Sequence, residues 1–284
     1  GEALMPRILV VGSVNLDFSA RVHHLPAPGE TVTEAELQRF PGGKGANQAL
    51  AARRLGADVS LMACVGDDTT AYDALLLLRE GGVDLACVQT HETLATGVAL
   101  IAVDRQGENQ IVVAPGANWA LDASQLQVPE ADAVICQLEV PQAAIAEVAS
   151  QFSGFLCANL APARDIDDAL FARANLVIVN ETEAAFYGER LQRCSGMVAT
   201  TFGANGAELR QDGQVIARAI PPAVNAIDTV GAGDTFTAAL VVALVEGRSP
   251  EEALRFACAA GAAATTKRGA QPALPTRSEV EALL

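Results

Sequence analysis

Short runs of consecutive apolar residues alternate with longer helical stretches along most of this chain. The first run, RILVVG at residues 7–12, has no polar alternation, which is typical of a strand buried on both faces. Similar runs lie at residues 59–65, 133–137, 154–159, 176–180 and 197–201, with helical stretches between them at residues 45–55, 71–81, 142–150 and 181–191. This alternation predicts an α/β fold with a mostly parallel sheet and right-handed crossovers. Ligands of such a sheet bind at the carboxyl ends of its strands.

Two segments, residues 18–40 and 96–113, depart from this pattern. Polar and apolar residues roughly alternate there, and glycine and proline mark turns, as in hairpins. Because both segments leave the core and return to it, they are predicted to form one small β-sheet that covers the ligand site as a lid. The predicted division is a core of residues 1–14, 41–92 and 116–284 and a lid of residues 15–40 and 93–115.

The net charge of the 284-residue chain, −15, limits the partners it can bind. Nucleic acids and anionic membranes both require a positive protein surface, so neither is an expected partner. The longest strictly apolar run, residues 238–245, has eight residues, whereas a membrane span needs about 20. The six cysteines lie far apart without a C-x-x-C pair, which favours buried free thiols in a reducing cytoplasm over disulfides or a zinc site. We therefore expect a cytoplasmic protein.

The strongest chemical motif is DTVGAGDTF at residues 228–236, which leads directly into an apolar helix. Small residues at Gly231, Ala232 and Gly233 let the backbone approach a ligand, and the helix directs unpaired N–H groups at it, which predicts an anion hole. A carboxylate that only bound a ligand here would repel phosphate, whereas one that accepts a proton from an attacking hydroxyl suits this place. Asp234 is therefore predicted to be a general base. The alternative is a glycine-rich turn in which Asp234 only caps the helix.

A second glycine loop, PGGKGANQA at residues 41–49, also opens a helix. It lacks the spacing of a P-loop and does not directly follow a strand, as a dinucleotide fingerprint does, so neither kind of phosphate site is indicated. Close backbone approach together with the side-chain amide of Asn47 suits hydrogen bonding to a polyol. A loop with a solvated Lys44 is the alternative.

Polar residues follow three of the predicted strands. Asn15 and Asp17 are two residues apart on an extended chain and face the same side, where they can bind vicinal hydroxyls; a simple turn explains the pair equally well. The segment Asn180-Glu181-Thr182-Glu183 is either a helix cap or a water-mediated contact to magnesium and nucleotide. The loop at residues 201–206 is either a hairpin turn or a backbone platform for ATP phosphates.

The motifs GGKGAN at residues 42–47 and DTVGAGD at residues 228–234 resemble, in this order, the two signatures of the PfkB family of carbohydrate kinases. The resemblance extends from residue 7 to the C-terminus and is greatest to the ribokinase branch, through residues 28–31, 96–100, 107–109, 116–118 and 269–272. It implies a ribokinase-like three-layer αβα sandwich with a small β-sheet lid. It also implies ATP-dependent phosphorylation of a primary hydroxyl of a sugar, with D-ribose as the expected acceptor and with Mg²⁺ and a monovalent cation, K⁺, as cofactors.

The resemblance assigns roles to the residues that match the family's motifs. Catalysis would involve Asp234 together with the anion hole at Gly231, Ala232 and Gly233. The sugar would be bound by Asn15, Asp17, Gly43, Lys44, Gly45, Ala46, Asn47 and Glu139. ATP and magnesium would be bound by Asn180, Glu183, Thr201, Phe202, Gly203, Ala204, Asn205, Gly206, Gly233 and Cys258. The monovalent cation would lie near Asp228, Val230, Ala264, Lys267, Gly269 and Ala273, mostly on backbone carbonyls.

Two features depart from the family's pattern. Position 273 is alanine where the family typically has a serine hydroxyl, so one cation ligand is missing or is replaced by water. The stretch at residues 181–200 is short, which indicates a reduced peripheral crossover and a more open adenine side. The resemblance further implies a homodimer in which the lid sheets of two subunits clasp, and the apolar residues within 98–103 and 111–113 offer a surface for it.

Three alternatives fit parts of the same sequence: a kinase of the same fold for fructose, deoxyribose, a nucleoside or a keto-deoxy sugar acid; a non-catalytic sugar or nucleotide sensor; and a Rossmann oxidoreductase. The set of Asn15, Asp17 and Glu139, with no arginine in these motifs, favours a neutral polyhydroxyl sugar. The intact Asp234 and its glycines argue against a sensor. No G-x-G-x-x-G follows the first strand, as a Rossmann fold requires.

Overall fold

The computed structural model describes residues 5–284 of the chain. Its strands are Arg7–Val11 (β1), Asn15–Arg21 (β2), Glu36–Gly42 (β3), Asp58–Gly66 (β4), Val88–His91 (β5), Gly97–Val103 (β6), Asn109–Ala114 (β7), Ala133–Cys136 (β8), Phe155–Asn159 (β9), Leu176–Asn180 (β10), Met197–Thr201 (β11), Ala207–Gln211 (β12) and Gln214–Ala219 (β13). Its α-helices are Lys44–Arg54 (α1), Thr69–Glu80 (α2), Gln142–Gln151 (α3), Asp168–Arg173 (α4), Glu181–Tyr187 (α5), Ala232–Val245 (α6), Pro250–Ala264 (α7) and Arg277–Glu281 (α8).

The main sheet has nine strands in the order β13-β12-β11-β10-β9-β8-β1-β4-β5. All neighbours from β11 to β5 pair in parallel, and only β12 and β13 are antiparallel, as a hairpin at one edge. The prediction of an α/β fold with a mostly parallel sheet is confirmed. The carboxyl ends of the parallel strands meet at one edge, where the site described below lies.

Helices cover both faces of this sheet, so the core has two halves. The strand β1 shows the division: Ile8 and Val10 pack with residues of α1, α2, α6 and α7, whereas Leu9 and Val11 pack with residues of α3, α4 and α5. Because successive side chains of a strand point to opposite faces, a continuous apolar run serves both halves at once. The three-layer αβα arrangement is therefore confirmed.

A separate sheet of four strands, in the order β3-β2-β6-β7, is formed by the two segments that the sequence set apart. The strands β2 and β6 pair in parallel at its centre, and β3 and β7 are antiparallel edges. Every residue of β7 is exposed. The sheet begins at Asn15 and its β3 ends at Gly42, so two of its strand ends adjoin the glycine loop.

Two element boundaries differ from the prediction, and some elements were not predicted. The helix expected at residues 181–191 ends as an α-helix at Tyr187 and continues as a 3₁₀ turn, because Gly188 takes a positive φ of 54°. This shorter pair of turns still completes the crossover from β10 to β11. The helix after the GAGD motif begins at Ala232, inside the motif rather than after it. The hairpin of β12 and β13 and the helix α7 were not predicted.

Two global features complete the description. No helix within residues 5–284 is long and apolar enough to cross a membrane. All six cysteines are free thiols; Cys64, Cys136, Cys157 and Cys258 are buried, and Cys87 and Cys194 are half-buried.

Candidate active site

The glycine loop at residues 42–45 seats α1 against the end of β1. Gly43 is the residue before the helix and has a φ of 91°, which favours glycine. A Cβ at Gly45 would lie 2.5 Å from the backbone nitrogen of Ser13 and 2.6 Å from Cα of Gly12, so only glycine fits this contact. Ala46, fully buried, donates its N–H to the Ser13 carbonyl. Gly45 and Ala46 thus pack against the backbone of residues 12 and 13. Their direct contact with a sugar stays a prediction.

Asp234 lies in the first turn of α6 and is 8% exposed. The helix cap is Gly231, in the left-handed conformation, and no side chain caps the helix. The alternative in which Asp234 is the cap is therefore wrong. Its carboxylate instead accepts two hydrogen bonds from α1: Asn47 Nδ2 donates to Oδ2 at 2.9 Å, and Gln48 Nε2 donates to Oδ1 at 3.0 Å. Both oxygens are thus fixed by amide donors.

Gln48 belongs to a buried polar network that the sequence did not reveal. Its Nε2 also donates to Oδ1 of Asn159 at 3.0 Å, and its Oε1 accepts from the side chain of Gln137. Asn159 donates to the carbonyl of Ile178 on β10. Each of these amides is at most 8% exposed. The network fixes the direction of the Gln48 amide, so its N–H groups face Asp234 and not its oxygen.

The start of α6 presents free N–H groups beside this carboxylate. Ala232 donates its N–H to Thr229, and Thr235 donates to Gly231, whereas the N–H groups of Gly233 and Asp234 have no acceptor within residues 5–284. Gly233 is exposed, and a Cβ there would meet no atom within 4 Å. Unpaired N–H groups at an accessible helix start form an anion site in physical terms.

Two further carboxylates and one lysine face the same space as Asp234. Ser13 Oγ donates to Oε1 of Glu139 at 2.8 Å, which orients that carboxylate at the end of β8. The pKa of Asp17 is raised to about 6, mainly by burial and also by the negative charges of Glu139 and Asp234. Lys44 is half-buried, and its pKa is raised, above all by the charge of Asp234. The alternative of a freely solvated Lys44 is therefore wrong.

The raised pKa of Asp17 predicts that this carboxylate destabilises the unliganded protein at neutral pH. The folded state holds the proton up to about pH 6, whereas the usual value is 3.8, so the penalty is absent below pH 3.8 and complete above pH 6. A difference of about 2 units corresponds to roughly 3 kcal/mol. Asp17→Asn should therefore raise the free energy of unfolding by up to roughly 3 kcal/mol at pH 8 and by about half as much at pH 5.

Urea denaturation of both proteins without ligand, at pH 8 and pH 5, measures this difference. The same variant should bind sugar more weakly, since a charged acceptor is lost. An Asp17→Asn variant that is no more stable than the wild type at pH 8 would contradict the raised pKa of Asp17 in the folded protein.

On the other side of Asp234, the strand ends of β10 and β11 lie next to each other, with Asn180 opposite Thr201. Asn180 and Glu183 form a capping box: Oδ1 of Asn180 accepts from the N–H of Glu183 at 2.8 Å, and the Glu183 carboxylate accepts from the N–H of Asn180 at 3.1 Å. Burial raises the pKa of Glu183. The capping interpretation of this motif is confirmed, and its contact with magnesium or nucleotide stays a prediction.

The loop after β11 is a hairpin turn, because β11 and β12 are antiparallel. Gly203 and Gly206 have positive φ angles of 57° and 98°, and residues 203–205 form a 3₁₀ turn. Cys258 lies behind this loop: its thiol contacts the carbonyl of Ala219, against which Gly206 also packs. Burial raises the pKa of Cys258 to about 11, so the thiol is neutral at physiological pH. A platform role for residues 201–206 stays a prediction.

The residues predicted near a monovalent cation lie in two loops that are joined through Asp228. Its two oxygens accept the N–H groups of Val230 and Gly269, each at 2.9 Å. The carbonyl of Thr265 accepts from the backbone at residues 227 and 228. Ala273 closes the second loop and is buried. The structure thus brings the loops at 227–231 and 264–273 together beside the anion site.

Several residues of this site escaped prediction: Ser13, Gln48, Asn118, Gln137 and Asn159. Gln48 and Gln137 had a usable signal, since each is next or nearly next to a predicted site residue, Asn47 and Glu139. Asn159 ends a predicted strand on the carboxyl edge, where ligand sites are expected.

Comparison with known proteins identifies the family of the chain. The profile of the pfkB family carbohydrate kinases matches residues 5–277. The chain is 37% identical over 296 residues to the ribokinase of Bacillus subtilis, covering 99% of this chain and 100% of that protein. It is 36% identical over 300 residues to the ribokinase of Haemophilus influenzae, covering 96% of each.

Solved structures give the same result. The ribokinase of Thermotoga maritima superposes with a TM-score of 0.88 at 34% identity, covering 98% of this chain and 99% of that one. The ribokinase of Arabidopsis thaliana in complex with ribose and ATP superposes with a TM-score of 0.87 at 30% identity, covering 99% of each. The family match and these full-length relatives lead to one conclusion: this chain belongs to the pfkB family of carbohydrate kinases.

Proposed function

We propose that this chain transfers the γ-phosphoryl group of ATP to a primary hydroxyl of a sugar, and that the sugar is D-ribose. The observation that carries the proposal is Asp234, a buried carboxylate held by two amide donors in the same helix turn that offers free N–H groups. Membership of a carbohydrate kinase family supports the reaction. The support for ribose is that the relatives compared above are ribokinases and that the Arabidopsis protein binds ribose and ATP in its complex.

In the proposed reaction the hydroxyl oxygen attacks the γ-phosphorus and its proton passes to Asp234. The bond between the γ-phosphorus and the bridging oxygen breaks, and ADP leaves with that electron pair. The N–H groups of Gly233 and Asp234 stabilise negative charge on the transferred group. Asn47 and Gln48 keep the carboxylate in a fixed orientation. The protonated Lys44 offsets part of the negative charge of Asp234, Glu139 and Glu183.

The proposed sugar position rests on one unpaired acceptor and two carboxylates. Asn47 Oδ1 is buried and has no hydrogen-bond donor within the described chain, so it is free to accept from a hydroxyl. Asp17 and Glu139 supply further acceptors. Acceptors of this number suit a neutral polyhydroxyl ligand, because each sugar hydroxyl can donate one hydrogen bond.

The donor set fits a magnesium ion that arrives with the nucleotide. In the part of the chain that the structure describes, no group of three or more His, Cys, Asp or Glu side chains could hold a metal ion by itself. Mg²⁺ is usually held by one or two carboxylates, water and substrate phosphates. We propose that Glu183, with Asn180, contacts its water shell; the ion would supply charge neutralisation at the phosphates.

A monovalent cation fits the joined loops at residues 227–231 and 264–273. Asp228 keeps the two loops together through backbone N–H groups, which leaves the carbonyls of these loops to bind a cation. We propose K⁺ there, held by backbone oxygens at Val230, Ala264, Lys267, Gly269 and Ala273 and by Asp228. Because Ala273 has no side-chain oxygen, water would complete the shell.

The small sheet is proposed to act as a lid, residues 15–40 and 93–115, on a core formed by the other residues from 5 onward; residues 1–4 of the predicted core lie outside the described chain. Closure would exclude water, which competes with the sugar for the phosphoryl group. The sheet exposes large apolar side chains: Leu37, Leu100, Ile111, Val112 and Val113. We propose that this surface pairs with a second copy of the chain, and light scattering at micromolar concentration distinguishes dimer from monomer.

A cytoplasmic location is proposed on the basis of the cysteines. All six are free thiols, which persist in a reducing compartment. Fractionation of cells that produce the protein, with antibody detection, tests this proposal.

The reaction is tested by measuring ADP release with D-ribose, fructose, 2-deoxyribose and nucleosides as acceptors. We expect the largest kcat/KM with D-ribose and a phosphorylated sugar as product. Activity should be lost when a chelator removes Mg²⁺, and should fall when Na⁺ replaces K⁺. A larger kcat/KM with a nucleoside or with fructose would overturn the choice of ribose, and sugar binding without ADP release would favour the sensor.

A further inference from the structure

A buried asparagine, Asn118, lies where the small sheet joins the core. It is 2% exposed and sits in a 3₁₀ turn just after β7. Its Oδ1 accepts the N–H of Val14 at 2.9 Å, and its Nδ2 is within 3.2 Å of three oxygens. Two of these are backbone carbonyls, of Val14 and Pro115, and the third is Oδ1 of Asn15 at 2.8 Å.

Backbone groups set the direction of both side-chain amides. A flipped Asn118 would place its oxygen against the carbonyls of Val14 and Pro115 and its N–H groups against the N–H of Val14. Asn118 therefore presents a donor to Asn15, and a flipped Asn15 would place donor against donor. The oxygen of Asn15 is thus occupied, and its Nδ2 has no acceptor within residues 5–284.

Tight packing leaves no room for another arrangement. A Cβ at Gly97, the residue of β6 paired with Asn15, would collide with both Nδ2 of Asn118 and Oδ1 of Asn15. Asn15 is itself 6% exposed, and Asp17, two residues along the same strand, faces the same side. A ligand there meets a donor from Asn15 next to an acceptor from Asp17, so one hydroxyl can accept from the first and donate to the second.

We propose that Asn118 is a positioning residue that fixes Asn15 with its amide N–H₂ group toward the sugar, and so sets which hydroxyl pattern the site accepts. The inference rests on the proposed sugar kinase activity. Asn118 acts without contact to the sugar. Asn118 also bonds the chain segment that enters β2 and the segment that follows β7. The amide of Asn15 that donates to the sugar is therefore held where the two sheets join.

The test replaces Asn118 by serine, whose small side chain lets water take the place of the amide. With D-ribose, KM should rise about tenfold while kcat changes less than about threefold, the effect of losing one oriented hydrogen bond. Three ribose analogues that each lack the hydroxyl at C1, C2 or C3 give the sharper readout. In the wild type one analogue should show the largest loss of kcat/KM, and in Asn118→Ser that loss should shrink about tenfold.

A matched control is Asn175→Ala. Asn175 also accepts a hydrogen bond from a backbone N–H, that of Leu156, but it lies at the amino end of β10, away from the site. This variant should lower the free energy of unfolding and leave the analogue ratios unchanged. Unchanged ratios in Asn118→Ser, with only stability lowered, would overturn the proposal. If Asn118→Ser does not fold, Asn15→Asp takes its place. This variant keeps the side-chain oxygen that accepts from Asn118 and replaces the N–H₂ group that would donate to the sugar. An unaltered KM for D-ribose then overturns the proposal.

A second measurement does not depend on which sugar accepts the phosphoryl group. Side-chain ¹⁵N relaxation of Asn15 in the unliganded protein should give an order parameter of about 0.85 in the wild type and below about 0.6 in Asn118→Ser. If the wild type phosphorylates none of the ribose series, the proposed acceptor is wrong, and this measurement still decides on Asn118. Equal order parameters in the two proteins contradict the positioning role.

Discussion

Replacing Asp234 by asparagine should lower kcat by roughly 10² to 10⁴ while sugar binding remains, because the variant keeps the shape of the side chain but cannot accept the hydroxyl proton. The structure adds a second effect. Gln48 is fixed by the buried amide network, so an asparagine must keep its oxygen toward Gln48 and turn its N–H₂ group to Asn47. Asn47 then either meets it donor against donor or flips and turns its unpaired Oδ1 away from the sugar site. The donor mismatch, where Asn47 does not flip, should lower the free energy of unfolding by about 1–3 kcal/mol. Steady-state kinetics, calorimetric sugar binding and urea denaturation measure the three quantities.

The swap Asn47→Asp with Asp234→Asn separates the two effects. It restores a carboxylate opposite an amide and keeps the net charge, so stability should recover. The carboxylate then lies one hydrogen bond away, on α1, and turnover should stay at least about 100-fold below the wild type, since misplacement of a reacting group by an ångström or more has that cost. Near-normal turnover by Asp234→Asn would contradict its role as the base.

Gly45→Ala should destabilise the fold strongly. The added Cβ would meet the backbone of Gly12 and Ser13, which cannot rotate away as a side chain can. Overpacking of this kind costs about 1–3 kcal/mol and more where backbone must move, and we expect about 3 kcal/mol or more. Because α1 carries Asn47 and Gln48, its displacement should also reduce kcat by about 100-fold. Thermal denaturation and kinetics measure both.

Gly233→Ala is the control for stability. The same methyl group meets no atom within 4 Å there, in a helix where alanine is favourable, so the midpoint of thermal denaturation should not fall. A Gly45→Ala variant as stable as Gly233→Ala would show that α1 can shift without a cost in stability. The close contact of Gly45 with residues 12 and 13 would then not be needed for folding.

The parts of the fold that could be predicted from sequence are those in which one local pattern has one structural meaning. The strands β1, β4 and β8 to β11 are continuous apolar runs, because helices cover both faces of the sheet. The edge strand β13 and its neighbour β12 are half-exposed and mix polar with apolar residues, so no apolar run marks them. The helix α7 did carry a signal, the capping box of Ser249 and Glu252 with Pro250 between them, which was not used.

The site divides in the same way. Asp234 was predictable because its surroundings are local: three small residues before it and a helix after it. Its partners were not, since Asn47 and Gln48 are 187 and 186 residues away along the chain. A glutamine in a helix has no distinguishing pattern until the helix is placed against another. Asn118 lies in a segment that carries the family resemblance, but its contact with Val14, 104 residues away along the chain, has no pattern in the sequence.

That separation has a consequence for how the protein acquires activity. Asp234, the proposed base, is oriented only when α1, from the first fifth of the chain, meets α6, from the last fifth. We therefore expect a nascent or truncated chain that lacks either helix to be inactive. Contacts between such distant segments form late in folding, because closing a long loop costs entropy before the contact is gained. During refolding, the far-ultraviolet circular dichroism signal should therefore recover before phosphoryl-transfer activity does. The delay between the two signals measures how late α1 and α6 come into contact.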